Sequence, residues 1–267
     1  MIETKKIAIL GGGNIGSAML KGFLASGKIP AGNFTITRRN LARLSEFQQA
    51  GVTVINDNKA AAEGADIVIL AVLPRQLEGI VKEISGVLKP SQILVSVVTA
   101  FTIAEVKAMA GNKCAVVRAM PNTAVAVGES MTCLAVEDGK ENDLPLVQEL
   151  FALAGEVLPI QERLMGGATI LAACGVAFFM RYIRAASQGG IQVGFHATEA
   201  HLIAAQTAKG ASKLLLASGT HPETEIDKVT TPMGCTIAGL NEMEHNGLSS
   251  ALIKGIVVSY NELTKVK

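Results

Sequence analysis

Six residues near the N-terminus, Gly11-Gly12-Gly13-Asn14-Ile15-Gly16, have the types and spacing needed to hold a pyrophosphate. They follow an apolar run, Ile7-Ala8-Ile9-Leu10, and open a helix-like segment over residues 17–24. G-x-G-x-x-G set between a strand and a helix is the pattern of a dinucleotide site. Gly11 lets the chain turn sharply off the strand, Gly13 lets backbone approach phosphate without a Cβ, and Gly16 lets the helix lie close to the sheet. The helix N-terminus then offers unpaired N–H groups and a positive dipole end to the anion. The bland alternative is an ordinary glycine-rich turn; the placement directly after the first strand favours the nucleotide.

The second candidate group is Arg38-Arg39-Asn40, at the end of the next strand-like run, Phe34-Thr35-Ile36-Thr37. An NAD site places a carboxylate there to take the ribose hydroxyls, and this chain has none. Two guanidiniums suit a 2′-phosphate, because Arg is planar, permanently charged and rich in donors. NADP(H) is therefore the expected cofactor, with NAD(H) possible. The competing reading is a solvated basic helix start with Arg43 nearby.

The remaining composition sets bounds. The chain has 267 residues, 49% hydrophobic and 18% charged, with a formal net charge of +1. That balance gives no electrostatic case for nucleic acid or an anionic membrane. Cys114, Cys133, Cys174 and Cys235 form no C-x-x-C, as expected of reduced thiols in a cytoplasm rather than a disulfide frame or zinc site. The N-terminus leads directly into the first strand, so no signal peptide is expected before the fold. Residues 164–180 carry no charge between Arg163 and Arg181, the bare minimum for a membrane helix. Their Gly, Ala and Cys content fits a helix buried in a core or a subunit interface equally well, and the interface is the expectation here.

These groups need a scaffold, and the first half of the chain supplies one. Further strand patterns fall at residues 52–54, 66–71, 93–97 and 115–117, with helical stretches at 41–50, 59–63, 76–84 and 103–110 between them. Unbroken apolar strands joined by helices imply a parallel sheet covered on both faces, which binds ligands beyond the carboxyl ends of its strands. After about residue 160 the strand patterns stop. Ala-rich helical runs follow at 164–187, 197–218 and 248–266, with Gly189-Gly190 and residues 219–222 as their punctuation. The expected organisation is an α/β Rossmann-type dinucleotide-binding domain over 1–160, then an all-α dimerisation and substrate domain over 161–267.

Three more segments lie where ligand loops belong: Ala71-Val72-Leu73-Pro74, Arg118-Ala119-Met120-Pro121-Asn122-Thr123, and residues 229–240 with the pattern T-x-P-x-G-x-T-I-x-G-L. With the glycine pattern, they resemble the pyrroline-5-carboxylate reductase family over essentially the whole chain. The resemblance implies an NAD(P)H-dependent enzyme of proline biosynthesis, a homodimer or higher homo-oligomer, with the substrate site between subunits. It places the cofactor on Leu10, Gly11, Gly12, Gly13, Asn14 and Ile15, with Arg38 and Arg39 near the adenosine ribose. It adds Asn58, Ala71, Val72, Leu73 and Pro74 as cofactor contacts, and Thr99 and Asn122 beside the nicotinamide. The substrate, a small cyclic imine carboxylate, falls to Gly234, Cys235 and Thr236, with Glu162 as a further candidate. Backbone N–H groups around Gly234 suit the carboxylate, and the Thr236 hydroxyl suits the imine nitrogen that is protonated as hydride arrives. Catalysis would then be mostly orientation.

The departures from the family pattern cluster in the substrate half. Cys174-Gly175-Val176 stands for Ser-Gly-Pro, Gly166 for Asp, Arg184 for Glu and Met233 for a second Gly. Leu73 stands for Lys, Ala100 for Gly and Ala124 for Pro. They leave open a related imine or hydroxyacid reductase, or a catalytically silent NADP-binding paralogue. Against a hydroxyacid enzyme, no G-x-x-x-N-x-x-K pattern opens the helical half. His196 and His201, five apart, do not share a helical face, so no metal is expected.

Overall fold

The computed structural model describes residues 1–263 and 265. Eight strands form one sheet: β1 (Ile7–Leu10), β2 (Phe34–Thr37), β3 (Thr53–Ile55), β4 (Ile67–Leu70), β5 (Ile93–Ser96), β6 (Ala115–Met120), β7 (Ser130–Val136) and β8 (Gly155–Pro159). Their order is β3-β2-β1-β4-β5-β6-β7-β8, so the chain reverses its winding next to β1, the switch point where such sheets bind ligands. The pleat explains the continuous apolar runs. Ile7 and Ile9 enter one buried cluster, while Ala8 and Leu10 enter the other on the opposite face.

The helices of this part are α1 (Asn14–Ala25), α2 (Ser45–Gln49), α3 (Asn58–Glu63), α4 (Pro74–Ile84), α5 (Ile103–Met109), α6 (Leu144–Ala152) and the short α7 (Met165–Ala168). Phe23 of α1 stacks on Phe34 with ring centroids 6.3 Å apart and meets Phe151 edge-on at 5.6 Å. Gly22 lets α1 come close: a Cβ there would lie 2.0 Å from the Val125 carbonyl oxygen.

Several expectations are corrected. The sheet is not purely parallel, because β7 runs antiparallel to β6. β7, β8 and α6 were not anticipated: Ser130 and Thr132 place buried hydroxyls in β7, and β8 reads Gly-Glu-Val-Leu-Pro with most residues exposed. Gly189 and Gly190 do not end a helix. α8 (Gly175–Gln192) runs through them, and the chain turns at Gly194, where φ is +111°. Gly190 serves packing instead, since a Cβ on it would stand 3.0 Å from Ala200 Cβ. The run over 164–187 is broken by a π-helical stretch, Thr169–Cys174, a form frequent at functional sites.

By contacts the chain forms two compact units, Met1–Val176 with the chain from Tyr260, and Ala177–Ser259. The division falls later than the change of texture near residue 160, because Met165, Thr169 and Ile170 are buried in the first unit. Gly166 belongs there too: a side chain on it would meet the Tyr260 ring at 3.2 Å. The second unit holds most of α8, with α9 (Ala197–Ser218), α10 (Pro222–Val229), α11 (Cys235–His245) and most of α12 (Leu248–Leu263). Gly219 (φ +63°) and Pro222 punctuate α9 and α10 as expected. Among its described residues only Ser187 and Ala200 are buried, while Phe179, Met180, Leu202, Leu214 and Leu216 are exposed. The helical run Glu162–Gln192 is long and apolar enough to cross a membrane by length and composition, and 22% of its most apolar window is buried within the chain.

Candidate functional site

The glycine loop is built by contacts that only glycine permits. Gly11 has φ +112°, and a Cβ there would lie 2.3 Å from the Ala71 carbonyl oxygen and 2.8 Å from Val72 Cγ1. A Cβ on Gly16 would lie 2.0 Å from the Gly11 carbonyl oxygen. Gly13 differs: nothing stands within 4 Å of its would-be Cβ. That open side, at the N-cap of an α1 that has no side-chain cap, fits a pyrophosphate approaching backbone amides.

The end of β2 and the residue after it hold the loop in this shape. The Gly12 N–H donates to the Thr37 carbonyl at 2.7 Å and the Gly11 N–H to Thr37 Oγ1 at 3.3 Å. Thr37 Oγ1 donates to Asn58 Oδ1 at 2.7 Å, and Asn58 Nδ2 to Glu83 Oε2 at 3.1 Å. The Arg38 guanidinium donates to the Gly12 carbonyl, so Arg38 braces the loop and exposed Arg39 carries the freer charge. Leu10, Ala71 and Val72 close the other side, with the Ala71 N–H donating to the Leu10 carbonyl at 2.8 Å. Leu73 is exposed and begins the turn into α4. Its N–H donates to Gln76 Oε1 at 3.2 Å, and Pro74 is the first helical residue. The structure thus brings together Leu10 to Ile15, Arg38, Asn58, Ala71 and Val72.

Beyond β5 and β6 the picture is mixed. Thr99 is half-buried, and Ala100 holds φ +71°, a left-handed conformation unusual for a residue with a Cβ. Asn122 is buried and structurally engaged: Nδ2 donates to the Ala172 carbonyl at 3.2 Å and Oδ1 accepts from the Ala124 N–H at 2.9 Å. Its amide holds the π-helical stretch. Glu162, the further substrate candidate, is engaged within the chain: its Oε1 accepts from the Ile103 N–H at 2.6 Å and from Arg118 Nη1 at 3.0 Å. Arg118 and Thr37 were not singled out as functional in the sequence; Arg118 stood only as the first letter of R-x-M-P-N-T.

In the helical unit, the loop before α11 has its own glycine requirement. A Cβ on Gly234 would lie 2.5 Å from Thr231 Oγ1, and the Gly234 N–H donates to the Thr231 carbonyl at 2.9 Å. Met233 holds φ +58° with its side chain fully exposed. α11 has no side-chain cap. Cys235 and Thr236 in its first turn are exposed, and among the described residues none hydrogen-bonds the Thr236 hydroxyl. The free N–H groups of Cys235, Thr236 and Ile237 at this helix start suit a carboxylate, and a free hydroxyl beside them suits a second polar atom. Burial pushes the Cys114 and Cys133 thiols up from their ordinary value. Among the described residues no group of three or more His, Cys, Asp or Glu is placed to hold a metal ion.

A doubly wound sheet with an open glycine loop at its switch point, followed by a helical unit with bare apolar faces, defines a nicotinamide-dinucleotide oxidoreductase with a separate helical module. Comparison with known proteins narrows the class. A family model for pyrroline-5-carboxylate reductase dimerisation matches residues 162–265, and one for coenzyme F420-dependent NADP oxidoreductase matches residues 6–100. Pyrroline-5-carboxylate reductase 2 of Dictyostelium discoideum is 43% identical over 98% of this chain and 93% of its own length. Pyrroline-5-carboxylate reductase 1 of the same organism is 44% identical, and this chain spans 48% of that longer protein. Among solved structures, a pyrroline-5-carboxylate reductase from Coxiella burnetii superposes with a TM-score of 0.88 at 26% identity, covering 99% of each chain. The Plasmodium falciparum pyrroline carboxylate reductase with NADP bound shares the fold, with a TM-score of 0.89 at 23% identity, covering 99% of this chain and 98% of its own. The chain belongs to the pyrroline-5-carboxylate reductase family.

Proposed function

We propose that this protein reduces 1-pyrroline-5-carboxylate to L-proline with NADPH, as a homodimer in the cytoplasm. One observation carries the reading: the same chain presents a glycine loop open only at Gly13 and an uncapped α11 start with a free Thr236 hydroxyl. These are the two receptors that a dinucleotide and a small carboxylate require.

NADPH, when bound, supplies the hydride. The chain's residues do the rest by holding and orienting. The first-turn amides of Cys235 and Thr236 take the substrate carboxylate. The Thr236 hydroxyl holds the imine nitrogen, which carries a proton as the neighbouring carbon is reduced. The loop amides over 11–15 hold the pyrophosphate, and Arg39 takes the 2′-phosphate. No strong general base is needed, because the protonated imine is already an electrophile. The exposed side chains of the helical unit, with so few residues buried within one chain, support a second copy covering them. Four free cysteines support a reducing compartment.

The test is NADPH oxidation by purified protein given pyrroline-5-carboxylate, repeated with Thr236→Val. The valine keeps the shape and removes the hydroxyl, so kcat falls roughly ten- to a hundredfold while NADPH affinity holds. Parent-like turnover would leave Thr236 as a plain helix-start residue.

A further inference from the structure

We infer that Glu162 and Arg118 form a positioning pair that fixes the nicotinamide-side loops for hydride transfer. The inference rests on the proposed function and goes beyond it. One carboxylate oxygen, Glu162 Oε1, receives both the Ile103 N–H at 2.6 Å and Arg118 Nη1 at 3.0 Å. Those bonds join three chain segments. Ile103 opens α5 and ends the loop 97–102, which carries Thr99 and the left-handed Ala100. Arg118 lies in β6 directly opposite Ser96, the last residue of β5, and just before the Pro121–Asn122 turn. Glu162 opens the helical turn that leads through α7 into the π-helical stretch, whose Ala172 carbonyl is held by Asn122. All three meet at the carboxyl end of β5, on the edge of the sheet where a doubly wound fold binds its ligand.

Stability does not explain the pair. Its side chains are 10% and 30% exposed, and Arg118 Nε is buried with no hydrogen-bond partner among the described residues. A partly buried charge pair whose cation is left incompletely bonded is commonly matched or bettered by apolar residues of the same volume. What apolar residues do not supply is direction: an ionic carboxylate receiving two donors from different segments fixes their spacing. Small errors in such spacing are costly for a reaction that depends on orientation.

The test is the double variant Arg118→Met/Glu162→Leu, which removes both charges and both bonds and keeps the volume. Three quantities are compared with the parent: the thermal midpoint, the kinetic constants with pyrroline-5-carboxylate and NADPH, and deuterium exchange of the amides over 97–103 and 121–123. The expected result is a midpoint near the parent's, a kcat roughly ten- to a hundredfold lower, an NADPH KM near the parent's, and faster exchange in both loops. Parent-like kcat, or parent-like exchange, would overturn the inference, because a merely structural pair is replaceable once folding is kept. If the double variant does not fold, Glu162→Gln keeps an oxygen for both donors, drops the charge and is judged by the same criteria with a smaller loss. If the parent itself does not oxidise NADPH with the imine, the proposed function falls, and unchanged exchange in the folded variant is then what overturns the pair.

Discussion

Substituting alanine at Gly11, Gly13 and Gly16 of the dinucleotide loop separates folding from binding. At Gly13 the backbone has φ −82° and ψ −163°, which any residue adopts, and no atom stands within 4 Å of the added Cβ. Gly13→Ala should therefore fold at least as well as the parent, with a gain of about 0.4–1 kcal/mol from the stiffer unfolded chain. The methyl group would fill the space through which a pyrophosphate reaches the amides. Loss of one or more bonds to a charged group, each worth about 1.5–3 kcal/mol, weakens NADPH roughly ten- to a hundredfold. Gly11→Ala and Gly16→Ala meet carbonyl oxygens at 2.3 and 2.0 Å, so both should destabilise the fold itself by several kcal/mol, well above the typical 1–3 kcal/mol of overpacking. Thermal unfolding and NADPH fluorescence titration on the three variants read both quantities. A Gly13→Ala protein that binds NADPH as the parent does would refute the assignment of that opening.

The two arginines should part company in the same titrations. Arg39→Ala weakens NADPH more than NADH, whereas Arg38→Ala, which frees the Gly12 carbonyl, weakens both and lowers the melting midpoint; equal behaviour of the two variants would contradict the division of labour. Gly22→Ala gains about 1 kcal/mol of helix propensity but forces a Cβ to 2.0 Å from the Val125 carbonyl oxygen, so urea unfolding should show net destabilisation. Hydrogen bonds from Lys82 to Glu78, from Lys107 to Glu137 and from Lys228 to Glu225 hold those carboxyls below their ordinary value of 4.5, and backbone hydrogen bonds do so for Glu141. The unfolded chain then binds more protons in that range, so their contribution is full above about pH 4.5 and lost as pH falls through the lower folded values. Denaturation midpoints followed downward in pH should show this loss, and Lys107→Met should make it shallower.

The cofactor half was legible because its physics is local. Gly11 and Gly16 each answer to a backbone geometry or a close approach that sequence spacing encodes, and the first six strands announced themselves as continuous apolar runs. β8 did not, because an exposed edge strand of Gly, Glu, Val, Leu and Pro lacks the buried pattern. Gly190 misled because a glycine that admits a neighbouring helix reads the same as one that ends its own. Glu162 and Asn122 were assigned to ligands by the family resemblance, while their hydrogen bonds within the chain, to residues 59 and 50 positions away, were invisible in the sequence. Ala100 and Met233, both singled out as standing where the resemblance expects glycine, turn out to keep the positive φ that glycine would hold. The backbone shape survives there while the side chain adds bulk.

Hydride delivery from a nicotinamide to a cyclic imine leaves its mark in the product. The protein is given pyrroline-5-carboxylate and NADPH deuterated at the transferable position of the nicotinamide, and the product is isolated. The expected product is L-proline carrying one deuterium on the ring carbon that flanks nitrogen and does not bear the carboxylate, formed mole for mole with oxidised cofactor. Unlabelled proline, or an imine left intact beside unconsumed NADPH, would contradict hydride delivery to the imine.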